Sequence, residues 1–240
     1  MKLTPRLQAI ADLIPPGSIV ADIGTDHAYL PVYLLQEQIS ERAIAVDINQ
    51  APLDQAKETI EAFNYMQKID IRKGNGLRVL NDEDHIDTVV IAGLGGESIA
   101  KILTEGKEKV VNLQRIILQP MSEAGFLRRF LAENGFTIMH EALAMEGRHL
   151  YEIILTKTGR ELERDPFRLS FGPRLLEEKP PLLPTLLKEK IRKLHIVYQN
   201  LQQAKKEDVT AKLREVEHEL HCLQEVLTGA TKRTDTNEYP

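Results

Sequence analysis

Along the first two thirds of the chain, apolar residues fall in short runs separated by glycine-rich or polar turns. Ile19-Val20-Ala21 is one such run, of buried-strand character; Asp22-Ile23-Gly24-Thr25-Asp26 turns out of it, and Ala28 to Gln36 reads as the first turns of a helix. The unit then repeats. Arg42 to Val46 predicts a second strand, and Pro52 to Phe63 predicts a helix with Leu53, Ala56, Ile60 and Phe63 on one face. Ile69-Asp70-Ile71 predicts a third strand, broken directly afterwards by Gly74-Asn75-Gly76. Ile86 to Ala92 predicts a fourth, running into Gly93-Leu94-Gly95-Gly96 and a helix over Glu97 to Leu103. Gln114 to Gln119 is a fifth strand, followed by a helix from Ala124 to Glu133 that Gly135 stops. Ahead of them all, Leu7, Ile10, Ala11 and Ile14 keep helical spacing, with Thr4 as N-cap and Pro5 at the first helical position.

Phe136 to Ala144 and Leu150 to Thr156 predict two antiparallel strands joined around Glu146-Gly147, with Arg148 and His149 in the connecting loop. Strand–helix units closed by an antiparallel pair give an α/β fold: a Rossmann-like sheet, mostly parallel, with one antiparallel strand. From Thr158 the pattern changes. Residues 159–184 are proline-rich and charged, with Phe167, Leu169, Phe171, Leu175 and Leu176 available to dock on the sheet domain. Beyond them Leu187, Ile191, Leu194, Tyr198 and Leu201 step by four and three, and so do Val209, Leu213, Val216, Leu220, Leu223 and Leu227. Two such seams predict an antiparallel coiled-coil hairpin over 185–227, with Asp208 placed to cap its second helix. The expected organisation is a sheet domain over 1–158, a connecting segment over 159–184, the hairpin, and a disordered tail over 228–240.

Ligands of open parallel sheets collect beyond the carboxyl ends of the strands, so the glycine turns after the first, third and fourth strands face one crevice. Asp47-Ile48 closes the second strand about twenty residues beyond the first turn, where a ribose-binding carboxylate belongs. A dinucleotide fingerprint puts bare glycines where backbone must approach a pyrophosphate. Here Asp26 replaces the second glycine, with Asp22 close by, and two carboxylates repel a diphosphate and favour a cation. S-adenosylmethionine carries an ammonium, a sulfonium and a ribose and no phosphate, so the acids favour a methyl donor over a nicotinamide. Two alternatives remain at this level. One is an NAD(P)-dependent oxidoreductase, resting on Gly93-x-Gly95-Gly96 before a helix; the other is a non-catalytic coiled-coil interaction protein.

Composition narrows the setting. The chain has 240 residues, 42% hydrophobic and 28% charged, enough for one sizeable core plus an appendage. No apolar run approaches a membrane span, the N-terminus lacks a signal peptide's hydrophobic region, and Cys222 has no cysteine to pair with. A cytoplasmic monomer without a structural metal is expected. A formal net charge of -5 disfavours a nucleic-acid partner unless basic residues segregate. They do so on the first hairpin helix: Lys188, Lys190, Arg192, Lys193, Lys205 and Lys206 are interrupted only by Glu189.

The motifs VADIGTDHAYLP, AVDIN, KGNGL and VVIAGLGG, in that order and spacing, resemble those of the bacterial tRNA adenine-N1 methyltransferases of the TrmK type, which act on adenosine 22. The resemblance covers nearly the whole chain. It implies a class I methyltransferase domain carrying a coiled-coil extension, S-adenosylmethionine as donor, and tRNA as partner. It places Asp22, Gly24, Thr25, Asp26 and His27 on the donor turn, Asp47 at the ribose, Asn75 and Gly76 at the adenine, and Gly93 on the fourth-strand turn, with Ile48 also among the cofactor-binding residues. Asp26 is the candidate catalytic residue, either countering the developing cation or holding the donor; a plain N-cap is its bland alternative. His27 lines the site or makes a structural hydrogen bond. The turn Ala92-Gly93-Leu94-Gly95 differs from the Asp/Asn-Pro-Pro-aromatic turn common in exocyclic N6 methyltransferases, which favours a ring nitrogen as acceptor.

Overall fold

Buried apolar runs become strands and the amphipathic stretches between them become helices, in the order α1 (Pro5–Ala11), β1 (Ser18–Ile23), α2 (Tyr29–Gln36), β2 (Ser40–Asp47), α3 (Gln50–Ala62), β3 (Ile69–Lys73), β4 (Thr88–Gly95), α4 (Gly96–Glu105), α5 (Lys107–Val110), β5 (Arg115–Ser122), α6 (Ala124–Glu133), β6 (Phe136–Glu146), β7 (His149–Thr158), α7 (Pro166–Phe171), α8 (Pro173–Glu178), α9 (Leu183–Gln203) and α10 (Thr210–Thr234). The structure is a computed structural model and describes residues 1–203 and 209–234. It divides into two units, Met1–Arg174 and Leu175–Pro240. The division falls inside the segment 159–184, which carries α7 and α8.

In the first unit the sheet order is β3-β2-β1-β4-β5-β7-β6. β1 pairs in parallel with β2 and β4, β2 with β3, and β4 with β5, while β7 runs antiparallel to both β5 and β6. The chain builds outward from β1 to β3 and returns to β4 on the other side. That reversal opens a crevice beyond the carboxyl ends of β1 and β4.

Alternation along the strands explains the layers. Ala21, Ile23, Val89, Ile91, Ile116 and Leu118 enter one core with Ile99 and Leu103 of α4 and Leu127 and Leu131 of α6. Val20, Val90 and Ile117 point the other way, onto Ile10 and Ala11 of α1 and Leu30 and Leu34 of α2. Both faces are covered, so the central strands are apolar throughout. Each fully buried isoleucine or leucine contributes about 1.5–3 kcal/mol.

One charged group crosses this interior. Arg128 on α6 is fully buried, and donates from Nε to Glu141 Oε1 at 2.5 Å and from Nη2 to Glu152 Oε2 at 2.7 Å. Burial works against its charge and the two carboxylates outweigh it. Leu169 of α7 joins the core of the first unit.

In the second unit, Ile191, Leu194, Tyr198 and Leu201 form the half-buried face of α9, and Val216, Leu220 and Leu223 are buried on α10. The Tyr198 hydroxyl donates to Glu217 Oε1 at 2.6 Å, joining the two helices of the hairpin. The second helix continues through Thr234, so residues 228–234 of the expected disordered tail are helical. Once a helix is nucleated each further residue adds a hydrogen bond; no Pro interrupts Thr228 to Thr234, and Gly229 within it costs about 1 kcal/mol against Ala without ending the helix. Lys205, Lys206, Asp208 and the rest of the tail, 235–240, lie outside the described residues.

Candidate active site

The turn after β1 is built on Gly24, whose φ of +79° lies in the left-handed region that strains any side chain. The Gly24 and Thr25 N–H groups both donate to the Val46 carbonyl, at 2.8 and 2.9 Å, tying the turn to the end of β2. A Cβ on Gly24 would lie 3.7 Å from Leu94 Cδ1, so the turns after β1 and β4 meet. The N-cap of α2 is Ala28, with φ 53° and no side-chain capping bond, so the capping role open to Asp26 is not taken up. Asp26 is instead exposed, its Oδ2 3.5 Å from His27 Nε2, and the His27 ring stacks on Tyr29 at 4.9 Å and 9°.

Asp22 sits deeper, 9% exposed at the end of β1. Burial pushes its carboxyl up to about 6; the Thr25 hydroxyl and the Arg6 guanidinium act in the opposite sense, and Asp47 in the same. Thr25 Oγ1 lies near enough to favour the carboxylate, yet it is buried with no partner at hydrogen-bonding geometry among the described residues.

At the end of β2, Asp47 Oδ1 accepts the Asn49 N–H at 2.7 Å, which fixes the carboxylate beside the crevice. Its carbonyl accepts the Gly74 N–H at 2.9 Å, bringing the turn after β3 alongside. Ile48 follows, 56% exposed, as an apolar edge. Asn75 Nδ2 donates to Glu105 Oε2 at 2.9 Å, and a carboxylate that also faces Arg78 at 3.4 Å holds this amide. Gly76 has a φ of +58°, and a Cβ there would come within 3.0 Å of Ile102 Cγ2.

Gly93, at the end of β4, also takes a positive φ, +79°. Its N–H donates to Gln119 Oε1 at 3.1 Å. Gly96 has a packing reason: a Cβ there would lie 2.7 Å from the Glu123 carbonyl, where the start of α4 meets the turn before α6. The Gly93-x-Gly95-Gly96 pattern is thus accounted for without a pyrophosphate. Sequence reasoning missed Arg6, Gln119 and Tyr151, which gather beside Gly93; only their convergence in space marks them. His149, placed in a loop by the sequence, begins β7 and pairs with Glu146.

Of the candidate RNA-contacting residues, Lys188, Arg192 and Lys193 are exposed on α9 and Lys190 is half-buried. Among the described residues no helix is long and apolar enough to cross a membrane.

The crevice fits S-adenosylmethionine on its donor set: a buried carboxylate able to face a cation, a buried hydroxyl beside it, and a second carboxylate fixed at the end of β2. Sheet order and site together define a Rossmann-like methyltransferase of class I. The model of the tRNA (adenine(22)-N(1))-methyltransferase family matches residues 20–225, and the chain belongs to that family. The Bacillus subtilis tRNA (adenine(22)-N(1))-methyltransferase is 34% identical over 233 residues, covering 95% of this chain and 98% of that protein. The crystal structure of the B. subtilis m1A22 tRNA methyltransferase TrmK superposes with a TM-score of 0.85 at 32% identity, covering 94% of this chain and 99% of that one. The M. capricolum TrmK, solved with S-adenosyl-homocysteine, gives 0.81 at 30% identity, over 95% and 99% of the two chains.

Asp47 yields a first expected outcome. Asp47→Ala should weaken S-adenosylmethionine binding by more than about tenfold, the scale of a lost charged acceptor, roughly 1.5–3 kcal/mol. Unchanged affinity by calorimetry would remove Asp47 from the ribose position.

Proposed function

We propose that this chain transfers a methyl group from S-adenosylmethionine to N1 of adenosine 22 in tRNA, giving 1-methyladenosine, as a cytoplasmic monomer. For the donor the observation that carries the reading is the pair of acids, Asp22 at the end of β1 and Asp47 at the end of β2, beside a left-handed glycine turn; membership of the family supports the acceptor. When bound, S-adenosylmethionine supplies an electrophilic methyl carbon. Asp22, ionised above about pH 6, takes the donor's ammonium, with the Thr25 hydroxyl beside the carboxylate. Asp47 accepts from the ribose hydroxyls, and Ile48 with the Asn75–Gly76 turn borders the adenine.

Adenine N1 keeps a lone pair at neutral pH, so no base is needed to create the nucleophile. As the N1–carbon bond forms and the sulfur–carbon bond breaks, positive charge moves onto the base. The protein's work is to align the reactants and to present negative charge to that cation. Asp26, exposed on the turn after β1 beside His27, takes the second task in this reading. Asp26→Asn should lower the single-turnover methylation rate about tenfold or more at saturating donor while leaving tRNA affinity unchanged. Rescue by excess donor would assign Asp26 to donor binding, and full activity at low donor would remove it from the site.

Thermal titration tests the donor cheaply. S-adenosylmethionine at a hundred times its Kd should add roughly 2.7 kcal/mol and raise Tm, while NAD should not. A shift with NAD alone would overturn the reading.

A further inference from the structure

The Gly93 turn is held by contacts from three separate elements, α1, β5 and β7. Gln119 is fully buried on β5, and its Nε2 donates to the Pro120 carbonyl at 2.9 Å, which fixes the amide. Its Oε1 then accepts two hydrogen bonds, from the Gly93 N–H at 3.1 Å and from Arg6 Nη1 at 2.8 Å. Arg6 comes from α1, 113 positions away in the chain from Gln119. Its guanidinium carbon lies 5.5 Å from the centre of the Tyr151 ring on β7, so a stacked aromatic face holds the fork that holds the amide. A Cβ on Gly93 would lie 3.8 Å from Arg6 Nη1, which brings the guanidinium right against the turn.

A glycine at positive φ has more conformational freedom than any other residue and gives a poor wall for aligning two reactants. Here α1, β5 and β7 together remove that freedom. The hydrophobic docking of α1 rests on Ile10 and Ala11, both buried in the core, whereas Arg6 is half-buried at the crevice side. The apolar part of that docking does not involve the guanidinium.

Resting on the methyltransferase reading, we infer that Arg6 is a positioning residue for methyl transfer: through Gln119 it holds the Gly93 turn in one orientation, so that the N-terminal helix completes the active site. The guanidinium acts through the turn and does not touch the reacting atoms. Alignment losses of this kind fall on the rate of the chemical step and spare the binding of either reactant.

The test uses the full chain with Arg6→Gln, Arg6→Lys, Gln119→Ala and the double variant Arg6→Gln/Gln119→Ala. Two readouts are taken: single-turnover methylation of tRNA at saturating donor, and exchange of the Gly93 amide proton by NMR. Arg6→Gln should slow methylation about tenfold or more. Arg6 also acts on the Asp22 carboxyl, so the Kd for S-adenosylmethionine is read at pH 8, where it should stay within about threefold of wild type, and Gly93 exchange should quicken about tenfold. Arg6→Lys keeps the charge but loses the planar fork and should restore only part of the rate. The double variant should be no slower than Gln119→Ala alone, since without the amide Arg6 has nothing left to hold against the turn. A wild-type rate in Arg6→Gln, unchanged Gly93 protection, or rate losses that simply add would each overturn the inference. Absence of tRNA methylation by the wild type would instead sink the methyltransferase reading, and Gly93 exchange would still judge the brace.

Discussion

Replacing Asp22 by Asn should give a protein that melts higher than the wild type at pH 7.5 and no longer responds to S-adenosylmethionine. Burial raises the Asp22 carboxyl from 3.8 to about 6 in the folded chain. An acid with a raised folded value binds its proton more tightly folded than unfolded. Stability therefore falls as pH rises from about 4 to about 6, and the loss is complete above 6. A rise of that size corresponds to about 3 kcal/mol. Asn removes the buried charge at nearly the same volume, so the variant should gain up to that amount at pH 7.5, worth several degrees of Tm in a chain of this size. At pH 4.5 the folded wild-type carboxyl is already protonated while the unfolded one is still mostly ionised, so the difference should shrink to about a third and close at about pH 3. The gain comes at the expense of function, since an amide does not counter an ammonium ion. For the same reason, donor affinity of the wild type should weaken as pH falls through 6. Thermal scans at both pH values, with and without donor, check all of this; an Asn variant equally displaced at pH 4.5 and 7.5 contradicts it.

The second large effect concerns RNA. Reversing Lys188, Arg192 and Lys193 to Glu should weaken tRNA binding by about two orders of magnitude at 0.1 M salt, with S-adenosylmethionine affinity unchanged. All three are exposed on α9, and Lys188 and Arg192 stand one helical turn apart. Each phosphate contact releases condensed counterions, so the slope of log K against log salt should flatten by roughly one per residue reversed. Filter binding at several salt concentrations reads both numbers. A solvated coiled-coil flank, the bland alternative, predicts an unchanged slope.

Most of the fold was legible because the central strands are buried on both faces and bounded by Gly or Pro. Val89-Val90-Ile91 and Ile116-Ile117-Leu118 cannot be solvent-facing segments, and glycine turns follow the first, third and fourth strands. Less was visible where geometry outruns local pattern. β4 continues to Gly95 and β5 to Ser122 because Leu94 pairs with Pro120 and Gly95 with Ser122 across register shifts, which no apolar run announces. The short helix Lys107–Val110 is charged apart from Val110 and leaves no periodic trace.

The candidate site divides the same way. Acids and glycines at strand ends carry a spacing signal, so Asp22, Gly24, Asp47 and Gly93 could be placed from sequence. Arg6 could not: a single arginine on a short helix reads as solvated, and its meaning lies in a contact with Gln119 on the far side of the domain sequence.

The central claim is tested most directly by nucleoside analysis after incubating the full chain with labelled S-adenosylmethionine and two unmodified tRNA transcripts. One carries adenosine at position 22 and the other guanosine there. The account predicts labelled 1-methyladenosine in the first transcript and none in the second; label in neither, equal label in both, or label appearing as N6-methyladenosine would contradict it.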